Sequence, residues 1–71
     1  MDDKELSKRF KSVRVTDEQM ERIEVVRRFF DATATTINQN CPDSREKSLA
    51  ITKLEESCMW AIKSISHNEG E

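Results

Sequence analysis

The stretch from Cys41 to Ile65, CPDSREKSLAITKLEESCMWAIKSI, constrains the fold more than any other part of the chain. Apolar residues recur in it at spacings of three and four, which places them on one face of a helix. Pro42 suits the first helical position, where its missing N–H is not needed, and Asp43 adds negative charge at the positive end of the helix dipole. We therefore predict a long helix over residues about 42–66. Its apolar face comprises Ile51, Leu54, Cys58, Ala61 or Ile62, and Ile65.

A second long helix is predicted over residues about 17–38. Thr16, followed three residues later by Gln19, matches the capping box, in which two residues hydrogen-bond each other's backbone. The run Asn38-Gln39-Asn40 then predicts a short polar turn. Two long helices joined by a short turn run antiparallel. The predicted core stripe comprises Met20, Ile23, Val26, Phe30, Thr33 and Ile37.

The start of the chain predicts a short helix over residues about 3–10. Asp2, Asp3 and Glu5 come before Lys8 and Arg9, an order that complements the helix dipole. Leu6 and Phe10 lie one turn apart. A helix this short does not persist in water unless it docks on another surface. The predicted fold class is all-α: an antiparallel two-helix hairpin with a short N-terminal helix, in a single domain over residues 1–71.

The length of 71 residues predicts association between copies, as a homo-oligomer. A chain this short builds a thin core and usually gains stability from disulfides, a metal or oligomerisation. Its two cysteines, Cys41 and Cys58, do not indicate a disulfide framework, and with one histidine they match no familiar metal-ligand spacing. Apolar positions that a hairpin cannot cover therefore predict a subunit interface. They are Val25, Phe29 and Ala32 on the second helix and Trp60 on the third.

The charge balance argues against general binding to nucleic acid or to a membrane. Twelve basic and fourteen acidic residues give a formal net charge of −2 at pH 7, whereas proteins that adhere to DNA, RNA or anionic lipid carry positive charge. The longest apolar run, Cys58 to Ile62, is too short to span a bilayer. We therefore expect a cytoplasmic protein without DNA, RNA or membrane partners.

The sequence does not indicate catalysis, a metal or a cofactor. Its one histidine, His67, belongs to no Ser-His-Asp or Cys-His arrangement that the sequence can place together, and a single glycine does not make a phosphate-binding loop. Glu55 and Glu56 are adjacent, so on a helix they point about 100° apart and form no obvious acid–base pair. We therefore expect a protein that is not an enzyme.

The segment KRFKSVR, residues 8–14, carries the candidate ligand-binding chemistry. It holds four cations and no acid, with Phe10 among them. Cations form charge-assisted hydrogen bonds with phosphates, and aromatic rings stack on flat bases, so this composition suits a nucleotide-like ligand. A solvated basic helix end explains the same composition and stays open as the alternative. For Trp60, base stacking likewise stays open beside the interface role.

Two runs of sequence resemble a known family. The run CPDSREKSLAITKLEESCMWAIKSI, together with Arg9-Phe10 upstream, resembles the helical-hairpin family of phage anti-CBASS proteins, which sequester the messengers of bacterial cyclic-oligonucleotide-based immunity. The similarity extends from about Arg9 to Ser66 and is strongest over PDSREKSLA, TKLEE and MWA. It implies a compact homohexamer that binds cyclic dinucleotides, and in some members cyclic trinucleotides, between protomers and does not cleave them.

The resemblance also assigns residues to the ligand site. The basic residue that family members place against the phosphate falls on Arg27, and their stacking tyrosine falls on or near Ser12. Because this chain has no tyrosine, either Phe10 takes its place or the protein prefers a different cyclic nucleotide. Lys11 and Arg14 are then expected as further phosphate contacts.

A second ligand site is weighed at the start of the third helix. Arg45 and Lys47 lie near a helix N-terminus, whose free amides favour anions. Capping of that helix by its own polar side chains, Ser44 among them, explains the same segment and is the alternative.

Two other functions stay open from the sequence. The first is a protein-interaction module that docks on a host or phage protein through the strip of Val25, Phe29 and Ala32. The second is a small nucleic-acid-binding protein, for which the net charge has the wrong sign. The oligomeric state of the purified protein separates the first of these from a ligand-binding oligomer.

Overall fold

A computed structural model describes residues 2–10 and 14–68, with side chains over residues 2–6 and 14–67. It contains three helices: α1 spans Asp3–Phe10, α2 spans Asp17–Asn40 and α3 spans Arg45–Asn68. Over the described residues these helices are the only regular secondary structure, which confirms the all-α fold class. None of them combines the length and the hydropathy needed to cross a membrane.

Helices α2 and α3 form an antiparallel hairpin. Ile23 of α2 is only 4 % exposed, and the predicted apolar face of α3 is half-buried against α2. The core is therefore one narrow seam between two helices. Met20 departs from the prediction because it is exposed. Gln19 takes the position toward α3 instead, and the next residue on a helix points about 100° away.

Helix α2 begins at the predicted capping box and ends later than predicted. Thr16 and Gln19 each hydrogen-bond the other's backbone N–H, which confirms the box. At the other end the helix continues to Asn40. The side-chain amide of Asn40 donates to the carbonyl oxygen of Thr36 at 2.8 Å. The backbone N–H of Cys41 donates to the carbonyl oxygen of Ile37 at 2.9 Å. These bonds satisfy carbonyls that a helix end leaves open.

Helix α3 begins at Arg45, three residues after the predicted start at Pro42. The hydroxyl oxygen of Ser44 accepts a hydrogen bond from the N–H of Lys47 at 3.1 Å, so Ser44 caps the helix. Cys41, which would precede a helix begun at Pro42, has no side-chain oxygen for this purpose. Pro42 therefore lies in the turn, and the helix runs on to Asn68.

Helix α1 stands apart from the hairpin. The carboxylate of Asp2 accepts a hydrogen bond from the N–H of Glu5 at 2.7 Å, which caps its start. Within the described residues, α1 packs against neither α2 nor α3, and its Leu6 is exposed. For its described residues, the surface on which so short a helix is expected to dock is therefore not supplied by the hairpin of the same chain.

Candidate ligand-binding site

An open groove of about 380 Å³ runs along one side of the hairpin, between α2 and α3. Its volume is within the range of small-molecule sites. Three charged side chains line it: Arg27 and Asp31 from α2, and Glu55 from α3. Apolar side chains form most of the remainder, among them Phe30, Ala34, Leu54, Cys58, Met59 and Ile62.

Helical spacing explains why these residues meet in one groove. Arg27, Phe30, Asp31 and Ala34 stand at intervals of three and four, so they share one face of α2. The facing residues of α3 follow the same intervals. Arg27 was predicted from the sequence as a ligand contact, whereas Asp31, Glu55 and Met59 were not. Their spacing from the core positions is the signal that could have indicated this side of the hairpin.

Arg27 is the cation of the groove. Its Nη1 lies 3.2 Å from Oε1 of Glu24, one turn earlier on α2, and both side chains are about half exposed. An exposed pair of this kind contributes little stability. Exchange of Glu24 for an anionic ligand at the guanidinium would therefore cost little free energy. Because Asp31 and Glu55 also line the groove, one chain offers one cation against two acids, and phosphate groups would need further positive charge.

The turn end of the hairpin is closed by Lys47. Its ammonium donates to the carbonyl oxygen of Asn38 at 3.2 Å and lies 3.0 Å from Oδ1 of Asp43. The Lys47 side chain is only 13 % exposed. Together with the cap from Ser44, these contacts favour the alternative in which the polar side chains of this segment stabilise the start of α3, and they give Lys47 a structural role. Arg45 is exposed, and a second ligand site at this end stays a prediction.

The comparison with protein families decides the identity. A family model described as the Acb2/Tad1 hairpin domain matches residues 2–66. The chain belongs to this family. Acb2/Tad1 hairpin domains form the anti-CBASS family of cyclic-nucleotide sponges, so the resemblance carried by PDSREKSLA and the neighbouring runs is confirmed. Neither the curated proteins nor the solved structures gave a match.

The structure places two of the five predicted ligand-binding residues of this Acb2/Tad1 hairpin. Arg14 is exposed on the non-helical segment before α2, and Arg27 lines the groove. Arg27 stands about 15 Å along the helix axis from the first residue of α2. The side chain of Phe10, and all of Lys11 and Ser12, lie outside the described residues.

The predicted interface residues are exposed on the hairpin. Phe29 is 75 % exposed, and Val25 and Trp60 are also exposed. The hydroxyls of Thr33 and Thr36 donate to the carbonyl oxygens of Phe29 and Ala32 in the preceding turn. Because these hydroxyls are satisfied within the helix, burying that face of α2 would leave few polar groups unpaired.

The indole ring of Trp60 has a cationic neighbour. Nζ of Lys63 lies 5.3 Å from the ring centroid, within the range of a cation–π interaction. His67, one turn further on, has Nδ1 at 3.1 Å from the carbonyl oxygen of Lys63.

No cluster of three or more His, Cys, Asp or Glu side chains that could hold a metal ion occurs in the part of the chain that the structure describes.

Proposed function

We propose that this Acb2/Tad1 hairpin is a phage-encoded sponge that sequesters cyclic dinucleotides, and also cyclic trinucleotides, and thereby blocks CBASS immunity in the cytoplasm of the infected cell. The observation that carries the proposal is the family match over residues 2–66. The groove beside Arg27 supports it, because apolar walls and a guanidinium suit bases and phosphates. A sponge competes with the host effector for free messenger, so its affinity and its copy number determine the effect.

The charge of the groove supports a ligand site shared by more than one copy. One guanidinium and two carboxylates line the groove of a single chain, whereas a cyclic dinucleotide brings two phosphate charges. The cationic segment of residues 8–14 holds the missing positive charge. Because the described residues of α1 do not pack on the hairpin of the same chain, we propose that this segment of one copy, with Phe10, Lys11, Ser12 and Arg14, meets the ligand beside Arg27 of another.

The exposed surface supports a homo-oligomer, a homohexamer in this proposal. A folded monomer of this length exposes about 4,600 Å², whereas this chain exposes 6255 Å². The difference, about 1,700 Å² on one chain, is about twice the area of about 800 Å² that one partner buries in a standard protein interface. Phe29 and Val25 lie on the surface that we expect another copy to cover.

The proposed mechanism involves binding without chemistry. His67, the one histidine of the chain, is near the end of α3 and does not line the groove. We propose no catalytic role for the carboxylates of Asp31 and Glu55, which do line it, and we expect the ligand to leave the protein in the form in which it entered.

The decisive experiment tests retention and release. The purified protein is incubated with cyclic di-AMP, cyclic di-GMP, cyclic GMP–AMP or cyclic tri-AMP, freed of unbound ligand by filtration, and heat-denatured. A sponge retains at least one of these and releases it intact, as judged by chromatography against the untreated compound. Retention of none of them contradicts the proposal, and release of linear products would indicate a phosphodiesterase instead.

The exposed strip of Val25, Phe29 and Ala32 also favours a second candidate, a protein-interaction module. Phe29 at 75 % exposure would anchor a partner protein as well as it would anchor another copy. Light scattering separates the two candidates. A self-contained oligomer that retains cyclic nucleotides supports the sponge, and a monomer that retains none but assembles with a host or phage protein supports the interaction module.

A further inference from the structure

Gln19 connects three parts of the chain. Its N–H donates to the hydroxyl oxygen of Thr16 at 3.1 Å, and its Oε1 accepts from the N–H of Thr16 at 2.8 Å. Its Nε2 donates to the carbonyl oxygen of Ile65, which is 46 residues away in sequence, at 3.0 Å. The side chain is only 6 % exposed. The same amide therefore caps α2 and links its first turn to the last turns of α3.

The bond to Ile65 exceeds what a capping box requires. A glutamate at this position accepts the N–H of the capping residue as well as a glutamine does. Of these two side chains, only the amide can accept from Thr16 and at the same time donate to a carbonyl oxygen of α3 at neutral pH. The choice of glutamine at position 19 is therefore explained by the bond to Ile65 and not by the cap.

The segment that Gln19 holds carries a predicted ligand contact. Thr16 has extended backbone angles, φ −77° and ψ 166°, and its N–H is fixed by the Gln19 side chain. Arg14 lies two residues earlier on the same non-helical segment and is exposed. A backbone that is already ordered at Thr16 reduces the entropy that Arg14 loses when it contacts an anion.

We infer that Gln19 is a positioning residue for the ligand site: by bonding Thr16 and Ile65 together, it sets the path of residues 14–16 against the end of α3. Gln19 acts through Arg14 and does not touch the ligand. The inference rests on the proposed function, since it requires that Arg14 meets a cyclic nucleotide.

The test is the substitution Gln19→Glu, with binding of the cyclic nucleotides named above measured by calorimetry. The variant keeps the capping acceptor but sets a carboxylate oxygen against the carbonyl oxygen of Ile65. We expect affinity to fall about five- to tenfold. The matched control is Ser44→Ala, which removes a helix cap at the opposite end of the hairpin and is expected to leave affinity within about twofold of the parent. Circular dichroism shows that each variant is folded, and Gln19→Met, which also lacks the donor, replaces Gln19→Glu if that variant does not fold.

A pH profile tests whether the missing donor toward Ile65 is the cause of the weaker binding. Protonation of the carboxyl group in the Gln19→Glu variant restores a donor toward Ile65. The ratio of variant to parent dissociation constants should therefore fall toward one as the pH is lowered from about 7.5 to about 5. Asp17 and Glu18 in the same turn, Arg14 before it, and Lys63 and His67 near the end of α3 are present in both proteins, so the ratio removes their contribution.

The outcomes separate this inference from the function on which it rests. If the parent protein binds none of the probes, the proposed function fails. If the parent binds but Gln19→Glu binds equally well, or if Ser44→Ala weakens binding as much, the positioning role is wrong and the proposed function stands. Selective weakening by Gln19→Glu with recovery at low pH supports the inference.

Discussion

The ammonium group of Lys47 donates a hydrogen bond to the carbonyl oxygen of Asn38, 3.2 Å away, and so joins the start of α3 to the end of α2. Asp43, its second partner, is fully exposed, and an exposed ion pair adds little. Removal of the ammonium therefore costs stability mainly through the lost hydrogen bond to Asn38. The aliphatic part of the Lys47 side chain is largely buried and packs against the turn.

Lys47→Met should lower the free energy of unfolding by about 1 kcal/mol, because it keeps the stem and removes the donor. The measurement is urea unfolding followed by circular dichroism. Lys53→Met is the matched control, since the Lys53 ammonium is exposed and its ion pair with Oε2 of Glu56 is long, at 3.8 Å. The expected loss of unfolding free energy is near zero. Equal costs for the two variants would show that the bond to Asn38 does not stabilise the hairpin.

Arg27→Ala should weaken retention of cyclic nucleotide by about ten- to a hundredfold, the usual contribution of a hydrogen bond to a charged group, without dissolving the oligomer. Calorimetry gives the affinity and light scattering gives the mass. Arg28→Ala removes the same charge from the next position, which does not line the groove, and should bind as the parent does. If Arg27→Ala retains ligand as tightly as Arg28→Ala, the assignment of Arg27 fails.

Phe10→Ala should also weaken retention, by about 1–3 kcal/mol if the ring stacks on a base. Phe10→Tyr keeps an aromatic face and is expected to bind at least as well as the parent. The same titrations measure both variants. Loss of affinity in Phe10→Tyr equal to that in Phe10→Ala would argue against stacking at this position.

Phe29→Glu should convert the oligomer to smaller species, because it places a charge on a face that another copy is expected to cover. Size-exclusion chromatography with light scattering measures the change in mass. Thr35→Glu adds the same charge at an exposed position outside the strip of Val25, Phe29 and Ala32, and should leave the mass unchanged. An unchanged mass in Phe29→Glu places the interface elsewhere.

The limits of the helices show where local signals are sufficient. The capping box of Thr16 and Gln19 is complete within four residues of sequence, and the structure has it as predicted. At the turn, two local signals competed: Pro42 indicated one start for α3, and Ser44 provided another. The helix begins after Ser44 because the hydroxyl of Ser44 accepts a hydrogen bond from the N–H of Lys47. A proline is compatible with the first helical position but supplies no acceptor for the free N–H groups.

The candidate site was less accessible to sequence reasoning. Arg27 was identified by family resemblance, whereas the groove that it lines requires α2 and α3 to be set in register, so Asp31, Glu55 and Met59 were missed. The role of Lys47 was likewise ambiguous, because a lysine near a helix start can meet an anion or a carbonyl. Only the position of Asn38 across the turn shows that it meets a carbonyl.

The sequence by itself determined the helical periodicity, the antiparallel hairpin and the family, since these depend on residue spacing and on runs such as PDSREKSLA. The tertiary structure alone decided which polar groups meet across the hairpin. It pairs Gln19 with Ile65 and Lys47 with Asn38, and among the residues that the structure describes it places α1 against neither helix of the hairpin. The physical reason is that a hydrogen bond between helices depends on their register and distance, which no local pattern of residues specifies.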